Sequence, residues 1–284
     1  MDTAIFRPDR RTFLNWTATA GAFFAAHGCS AAAEDKPHLR PGKAGAGEPR
    51  IRRLELRSSA ALPQIKAFYH QLLGLPVIEE TTEHLAIAAG QTRITFRTAP
   101  VDGEKPFYHF AFNIPENKLS AARRWQIQRT PLLPIPKHLR DPNFPEDVVN
   151  YSHWHAHSIF FFDPAGNVVE YIARHDLKNA AQGEFGTADI LYASEIAFVV
   201  DDVAAATMKL RQVAGVAQYK GASNQFAAVG DEHGLLLVMK RGRVISFDAP
   251  EKKAVRVFPT AAVVRGNRPA KYVDLEFPYE VTVE

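Results

Sequence analysis

Between Asn150 and Arg174 the chain reads NYSHWHAHSIFFFDPAGNVVEYIAR. Three histidines stand at alternate positions: His153, His155 and His157. An apolar run from Ile159 to Phe162 follows, then Asp163-Pro164-Ala165-Gly166-Asn167, then a second apolar run that carries Glu170. Alternation at period two is a strand signature, and Pro and Gly between Asp and Asn close a hairpin. The stretch predicts two adjacent strands, one bringing histidines and the other a glutamate. A glutamate flanked by Val168, Val169, Tyr171 and Ile172 is costly to bury unless something pairs with it. A divalent metal or a basic group is the usual partner. The one cysteine, Cys29, excludes an internal disulfide and a zinc site built from several thiolates. A metal here would be held by His, Asp and Glu.

The run FFFDPAGNVVEYIAR resembles the closing hairpin of a vicinal oxygen chelate module, the unit of glyoxalase I, extradiol dioxygenases and the bleomycin- and fosfomycin-resistance proteins. The resemblance implies an α+β fold of repeated βαβββ modules, paired into a cupped mixed sheet around a metal or a ligand. It also implies that Glu170, on a module's final strand, is a metal ligand.

The elements that would position these residues can be followed along the chain. Ile51 to Arg57 alternates as a strand. Ala61 to Leu73 places Leu62, Ile65, Phe68, Tyr69, Leu72 and Leu73 at helical spacing, with Gly74 as the C-cap. AFYHQLLGLPV resembles the first helix and following strand of the same superfamily. Strands at 83–89 and 92–98 complete one module, about 51–99. A second opens at Phe107 to Ile114, a strand that resembles the superfamily's H-x-A-F strand and makes His109 a ligand by that likeness. A helix at 116–126 follows, then a proline-rich stretch at 130–147 expected to border a pocket mouth or to be an inert insertion. A third module begins at Ser194 to Asp201, with a helix from Val203 and strands at 225–229 and 235–239. Recurrence of the helix-strand unit is itself evidence for the fold. Beyond Val244, strands at 254–265 and 272–284 are expected, with no fourth helix.

The expected organisation is a leader at 1–33, a linker at 34–50, a paired-module domain at 51–177, and a third module with a strand tail at 188–284. In the first module the superfamily's ligand places fall near Arg53 and Thr95, which do not ligate divalent cations in the usual way. In the third they fall at Glu195 and about Val238, so that copy reads as degenerate for metal. His109 and Glu170 need a third ligand. His157, adjacent to Glu170's strand, is the expected one, or else a general base. The cofactor expected is a divalent ion, with Fe, Mn, Ni and Zn all suited to oxygen and nitrogen donors. Two functions follow. One is a metal-dependent lyase, isomerase or dioxygenase acting on a small molecule with vicinal oxygens. The other is a metal-free protein that sequesters a small molecule, which the first module's missing ligands favour. There is no phosphate-binding glycine loop and no nucleophile elbow, and no ordered acid accompanies the histidines beside Ser152 and Ser158.

Lys plus Arg number 34 against 31 Asp plus Glu, a formal charge of +3 too balanced to suggest a nucleic-acid partner. The expected partner is a small-molecule ligand or substrate, and a homodimer is left open. Asp9-Arg10-Arg11-Thr12-Phe13-Leu14 resembles the twin-arginine export motif. Ala18 to Ala26 is too short for a permanent span, and Ala31-Ala32-Ala33 offers a cleavage site. The leader predicts a periplasmic or otherwise extracytoplasmic protein with no integral membrane segment after signal removal. Ala26, where a lipobox has a larger aliphatic residue, makes lipid anchoring at Cys29 the lesser reading.

Overall fold

The structure is a computed structural model that describes residues 50–284 apart from 101, 102, 146, 246, 248–252, 267–269, 274 and 276. The expected leader, its cleavage site and Cys29 lie outside the described residues. Strand β1 (Ile51–Ser58) buries Leu54, Leu56 and Ser58 while Arg53, Glu55 and Arg57 line its other face. Helix α1 begins at Leu62–Lys66 with Pro63 in its first turn, where no intrahelical N–H is lost. It continues as a π-helical turn over Ala67–Leu72, burying Phe68 and Tyr69. Gly74 ends it at φ +76°, where a side chain would sit 2.6 Å from Thr187 Oγ1, itself donating to Leu73 O at 2.7 Å. Strands β2 (Val77–Glu80), β3 (His84–Ala89) and β4 (Thr92–Thr98) close the module.

The same order recurs. The second module is β5 (His109–Ile114), α2 (Leu119–Ile127), β6 (Val149–Tyr151), β7 (Ala156–Phe162) and β8 (Val168–Arg174). The third is β9 (Tyr192–Val200), α3 (Val203–Ala214), β10 (Gln218–Ala222), β11 (Phe226–Asp231) and β12 (Gly234–Lys240). Asp202 caps α3 by accepting from Ala205 N at 3.0 Å, and Gly215 ends it at φ +65°. A short ladder of β13 (Val244–Ile245) and β14 (Lys253–Ala254) precedes β15 (Thr260–Val264), β16 (Ala270–Val273) and β17 (Tyr279–Val283). In every module the first strand runs parallel to the last: β1 with β4, β5 with β8, β9 with β12 and β15 with β17. The expected strand tail thus resembles a fourth module, with three strands and no helix among the described residues, and the fold is the α+β, repeated-βαβββ architecture.

The modules pair differently from the expected 51–177 domain. One sheet runs β16-β17-β15-β1-β4-β3-β2, the other β10-β11-β12-β9-β5-β8-β7-β6. The first module therefore joins the fourth through antiparallel β1 and β15, and the second joins the third through antiparallel β5 and β9. Burial explains the choice. Strands β5, β8 and β9 are buried at every position and suit the middle of a covered sheet. Strand β1 alternates buried with accessible residues and suits a sheet with one wet face.

The two large sheets and the three α-helices among the described residues contribute to one apolar core that includes Leu54, Phe96, Phe110, Phe112, Phe161, Tyr171 and Phe198. All described residues belong to one compact unit, and among them no helix is long and apolar enough to cross a membrane. The opposite face of the second sheet is covered as well. Ala197, Val199, Leu235, Leu237 and Met239 pack there with Val255, and Phe247 sits 5.4 Å from Phe160. The segment around β13 and β14 thus roofs this sheet.

Candidate metal centre

Three side chains meet under that roof. Strand β5 brings His109, β8 brings Glu170 and β9 brings Glu195, all three buried. Register dictates the meeting. Ala111 of β5 pairs with Glu170 on one side and Glu195 on the other, and His109 is the next residue on the same face. His109 Nε2 lies 3.5 Å from Glu170 Oε2 and 3.8 Å from Glu195 Oε2, and one ligand atom from each residue lies within 4.8 Å of the others.

The second ring nitrogen fixes the tautomer. His109 Nδ1 is 3.0 Å from the carbonyl oxygen of Val168, which can only accept, so Nδ1 carries the proton and Nε2 presents a lone pair. Burial lowers His109 from 6.5 to about 4, against the smaller opposing effect of the Val168 carbonyl. Burial, and then the neighbouring Glu195 charge, push the Glu170 carboxyl well above its ordinary range. Burial raises Glu195 too, opposed by Arg174.

Arg174, fully buried at the end of β8, is the cation that accompanies these acids. Its Nη2 donates to Glu195 Oε1, and its Nε to Asn113 Oδ1 at 3.2 Å. Asn113 is held in turn by donating to the Tyr192 hydroxyl at 2.9 Å and to Glu232 O at 3.1 Å. Glu170 Oε1 and Arg174 Nη1 make no hydrogen bond of ordinary geometry, and the buried Ser158 hydroxyl beside Glu170 opposes part of the upward push on its carboxyl.

These residues fit a divalent cation. Three ligand atoms converge with no other side chain between them, one Glu170 oxygen lacks a well-formed hydrogen bond, and two buried carboxylates face one guanidinium, so an ion would take the place of the proton that burial favours on Glu170. Nitrogen and carboxylate ligands sit about 2.0–2.2 Å from such an ion, which places them about 3.0–3.5 Å from one another. The two His109 distances, 3.5 and 3.8 Å, lie at and just above the top of that range, so small side-chain rotations would complete the sphere. A cleft lined by Phe107, His109, Ala197, Val199, Val255 and Phe258 reaches the imidazole.

The expected third ligand, His157, is elsewhere. Its Nε2 is 2.8 Å from Asp141 Oδ2 and its Nδ1 is 2.8 Å from His175 Nε2. It pairs with Ala173, one position out of phase with Glu170, and so projects to the opposite face of the sheet. The alternating histidines do not form one strand either. Ser152–Trp154 is a 3₁₀ turn and His155 takes φ +51°, so β7 begins only at Ala156. His155 is exposed and pairs with Asp176 at 2.8 Å. Arg53 and Thr95, the first module's ligand places, lie in the other sheet. In the third module, the register that matches Ala111 with Glu170 matches Ala197 with Leu237, so the fourth ligand place is apolar and falls one residue before Val238.

Comparison with known proteins follows the fold. No family model matches the chain, and no curated protein matches it in sequence. Among solved structures, a putative dioxygenase from Bacillus subtilis is 15% identical with a TM-score of 0.49, over 78% of this chain and 72% of that one. Glyoxalase I from Zea mays is 13% identical with a TM-score of 0.43, over 76% and 74%. A glyoxalase/bleomycin resistance protein/dioxygenase from Alicyclobacillus acidocaldarius is 13% identical with a TM-score of 0.34, over 44% of this chain and 92% of that one. At these identities the likeness concerns the fold, not the chemistry.

Proposed function

We propose that His109, Glu170 and Glu195 bind a divalent transition metal and that the protein is a metal-dependent enzyme acting on a small molecule with two neighbouring oxygens. The observation that carries this reading is the His109 Nε2 lone pair directed at two carboxylates with no other side chain between them. The ion would supply Lewis-acid polarisation of the substrate oxygens. The chain's own residues do the rest. Val168 O holds the imidazole in the ligating tautomer. Arg174 turns one oxygen of Glu195 away and leaves Oε2 facing His109. Ala197, Val199, Leu237 and Val255 give the site an apolar surround. Tyr151 packs on the same face, and burial together with Glu170 and Glu195 pushes its phenol well above the ordinary value, so it stays protonated at neutral pH.

Oxygen and nitrogen donors suit Fe(II), Mn(II), Ni(II) or Zn(II). The export signal extends the proposal: a twin-arginine leader carries folded protein, compatible with a metal loaded before translocation. The apolar Leu237 at the fourth ligand place favours a second reading, a metal-free cup that binds a small molecule. Elemental analysis of the purified protein beside His109→Ala, Glu170→Ala and Glu195→Ala variants separates the two. About one equivalent of metal in the parent, lost in each variant, supports the enzyme. No metal after anaerobic loading with each of the four ions leaves the metal-free cup.

A further inference from the structure

Resting on that metal site, we infer that its ligand is a monoanion, because Arg174 leaves the loaded centre with one uncompensated positive charge. Glu170 and Glu195 bring two negative charges, His109 is a neutral donor through its Nδ1–H to Val168, and Arg174 brings one positive charge. The protein shell therefore carries a single negative charge, and a divalent ion converts it to a single positive one. Among the described residues no other acid reaches the cluster. The nearby acidic groups have their own partners: Glu232 lies 3.5 Å from Lys220, which also reaches Asp176 at 3.3 Å, and Asp231 pairs with Arg50. Arg243, over Phe226, is only half-buried, so solvent screens its charge and it stays outside this count.

A net charge under an apolar roof is costly unless the ligand cancels it. A neutral diol would leave it in place and a dianion would reverse it. A small molecule with two neighbouring oxygens and one net negative charge cancels it. Arg174 contributes a second feature. Its Nη1 is buried and makes no hydrogen bond of ordinary geometry while Nη2 and Nε are engaged, so the guanidinium keeps a donor in reserve beside the ligating carboxylate. Arginine is thus a positioning and specificity-determining residue: it orients Glu195 and sets the charge of what binds.

The test uses Co(II)-loaded full-length protein, the visible spectrum of the ion, and two isosteric probes, glycolate (monoanionic) and glycolamide (neutral). The parent is expected to prefer glycolate by at least ten times the preference of aqueous Co(II) in the same buffer. Arg174→Met should lower that preference at least tenfold, and Arg174→Lys should restore most of it. A parent preference no greater than that of the aqueous ion overturns the inference whether or not Arg174→Met folds. So does an unchanged preference in a loaded Arg174→Met protein. Both results leave the metal site standing. Failure of the parent to bind Co(II) at all overturns the metal site and this inference together.

Discussion

Glu170 and Glu195 face each other across a single small residue: both pair in register with Ala111, one from each side of β5. Neighbouring strands lie about 4.8 Å apart, so the two glutamates start on backbones about 10 Å apart and lean inward over a methyl group. Nothing in either module alone produces this arrangement. It follows from the antiparallel joining of β5 to β9, which sets the first strand of one module beside the first strand of the next.

The size of Ala111 is therefore predicted to control metal binding. Ala111→Leu would place a branched side chain in the space between the carboxylates. Overpacking of this kind costs about 1–3 kcal/mol, which a compact unit of this size tolerates. The expected outcome is a folded protein, by circular dichroism and a cooperative melt, that holds less than a tenth of the parent's metal. Full metal content in that variant would place the ion somewhere other than between Glu170 and Glu195.

The metal-free protein should lose stability as it is acidified because of His109. Its folded value, about 4, lies below the unfolded 6.5, so between those values the unfolded chain binds the proton and the folded chain does not. The contribution is complete above pH 6.5 and lost as pH falls towards 4, about 3 kcal/mol in all. Glu170 and Glu195 are raised and act oppositely, losing stability as pH rises above their ordinary range. Urea denaturation of metal-free parent and His109→Gln at several pH values isolates the histidine. The parent's stability relative to the variant should fall through the pH 6.5 to 4 window, and a flat difference would contradict the neutral buried imidazole.

Much of this centre is visible in the sequence, and what is not has a physical cause. Glu170 stands out because apolar neighbours on both sides force it inside, and His109 because its strand has the superfamily's pattern. Glu195 is visible as the third module's ligand place but lacks meaning until that module's partner is known. Pairing depends on which strands are buried on both faces, a property of the assembled sheets. Arg174 looks like an ordinary basic residue closing an apolar run. Only the diagonal reach from the end of β8 to Glu195 makes it part of the site. The histidine run misleads because one left-handed residue, His155, resets the alternation before β7 begins.

His157 provides the contrasting variant. Its ring ties β7 to Asp141 in the proline-rich stretch and to His175, whose Nδ1 lies 3.2 Å from Glu116 Oε2, and Asn150 also donates to Asp141 at 2.8 Å. This chain of side chains anchors the 130–148 stretch to the sheet. His157→Ala is expected to keep the parent's metal stoichiometry while losing about 1–3 kcal/mol of stability. Proteolysis within 130–148 should quicken. Loss of metal without that loosening would return His157 to the ligand set.

The turn before β8 is predicted to hold Glu170 in place. Asp163 is buried and accepts four hydrogen bonds. Oδ1 takes the backbone N–H groups of Ala165 and Asn167, each at 2.9 Å, and Oδ2 takes the Tyr69 hydroxyl at 2.8 Å and Asn167 Nδ2 at 2.7 Å. Asn167 then passes the constraint on, because its Oδ1 accepts from Tyr108 N at 2.8 Å, directly before His109. One carboxylate thus fixes the entry of β8 and the entry of β5, the strands that carry two of the three ligands. Asp163→Ala would orphan four donors at once, at a cost of about 3 kcal/mol or more. Asp163→Asn keeps an acceptor and should lose less. Metal affinity should fall in the same order, parent above Asn above Ala, when measured by competition with a chelator. A metal affinity untouched by either change, despite the lost stability, would mean that the ligands are held by the sheet alone.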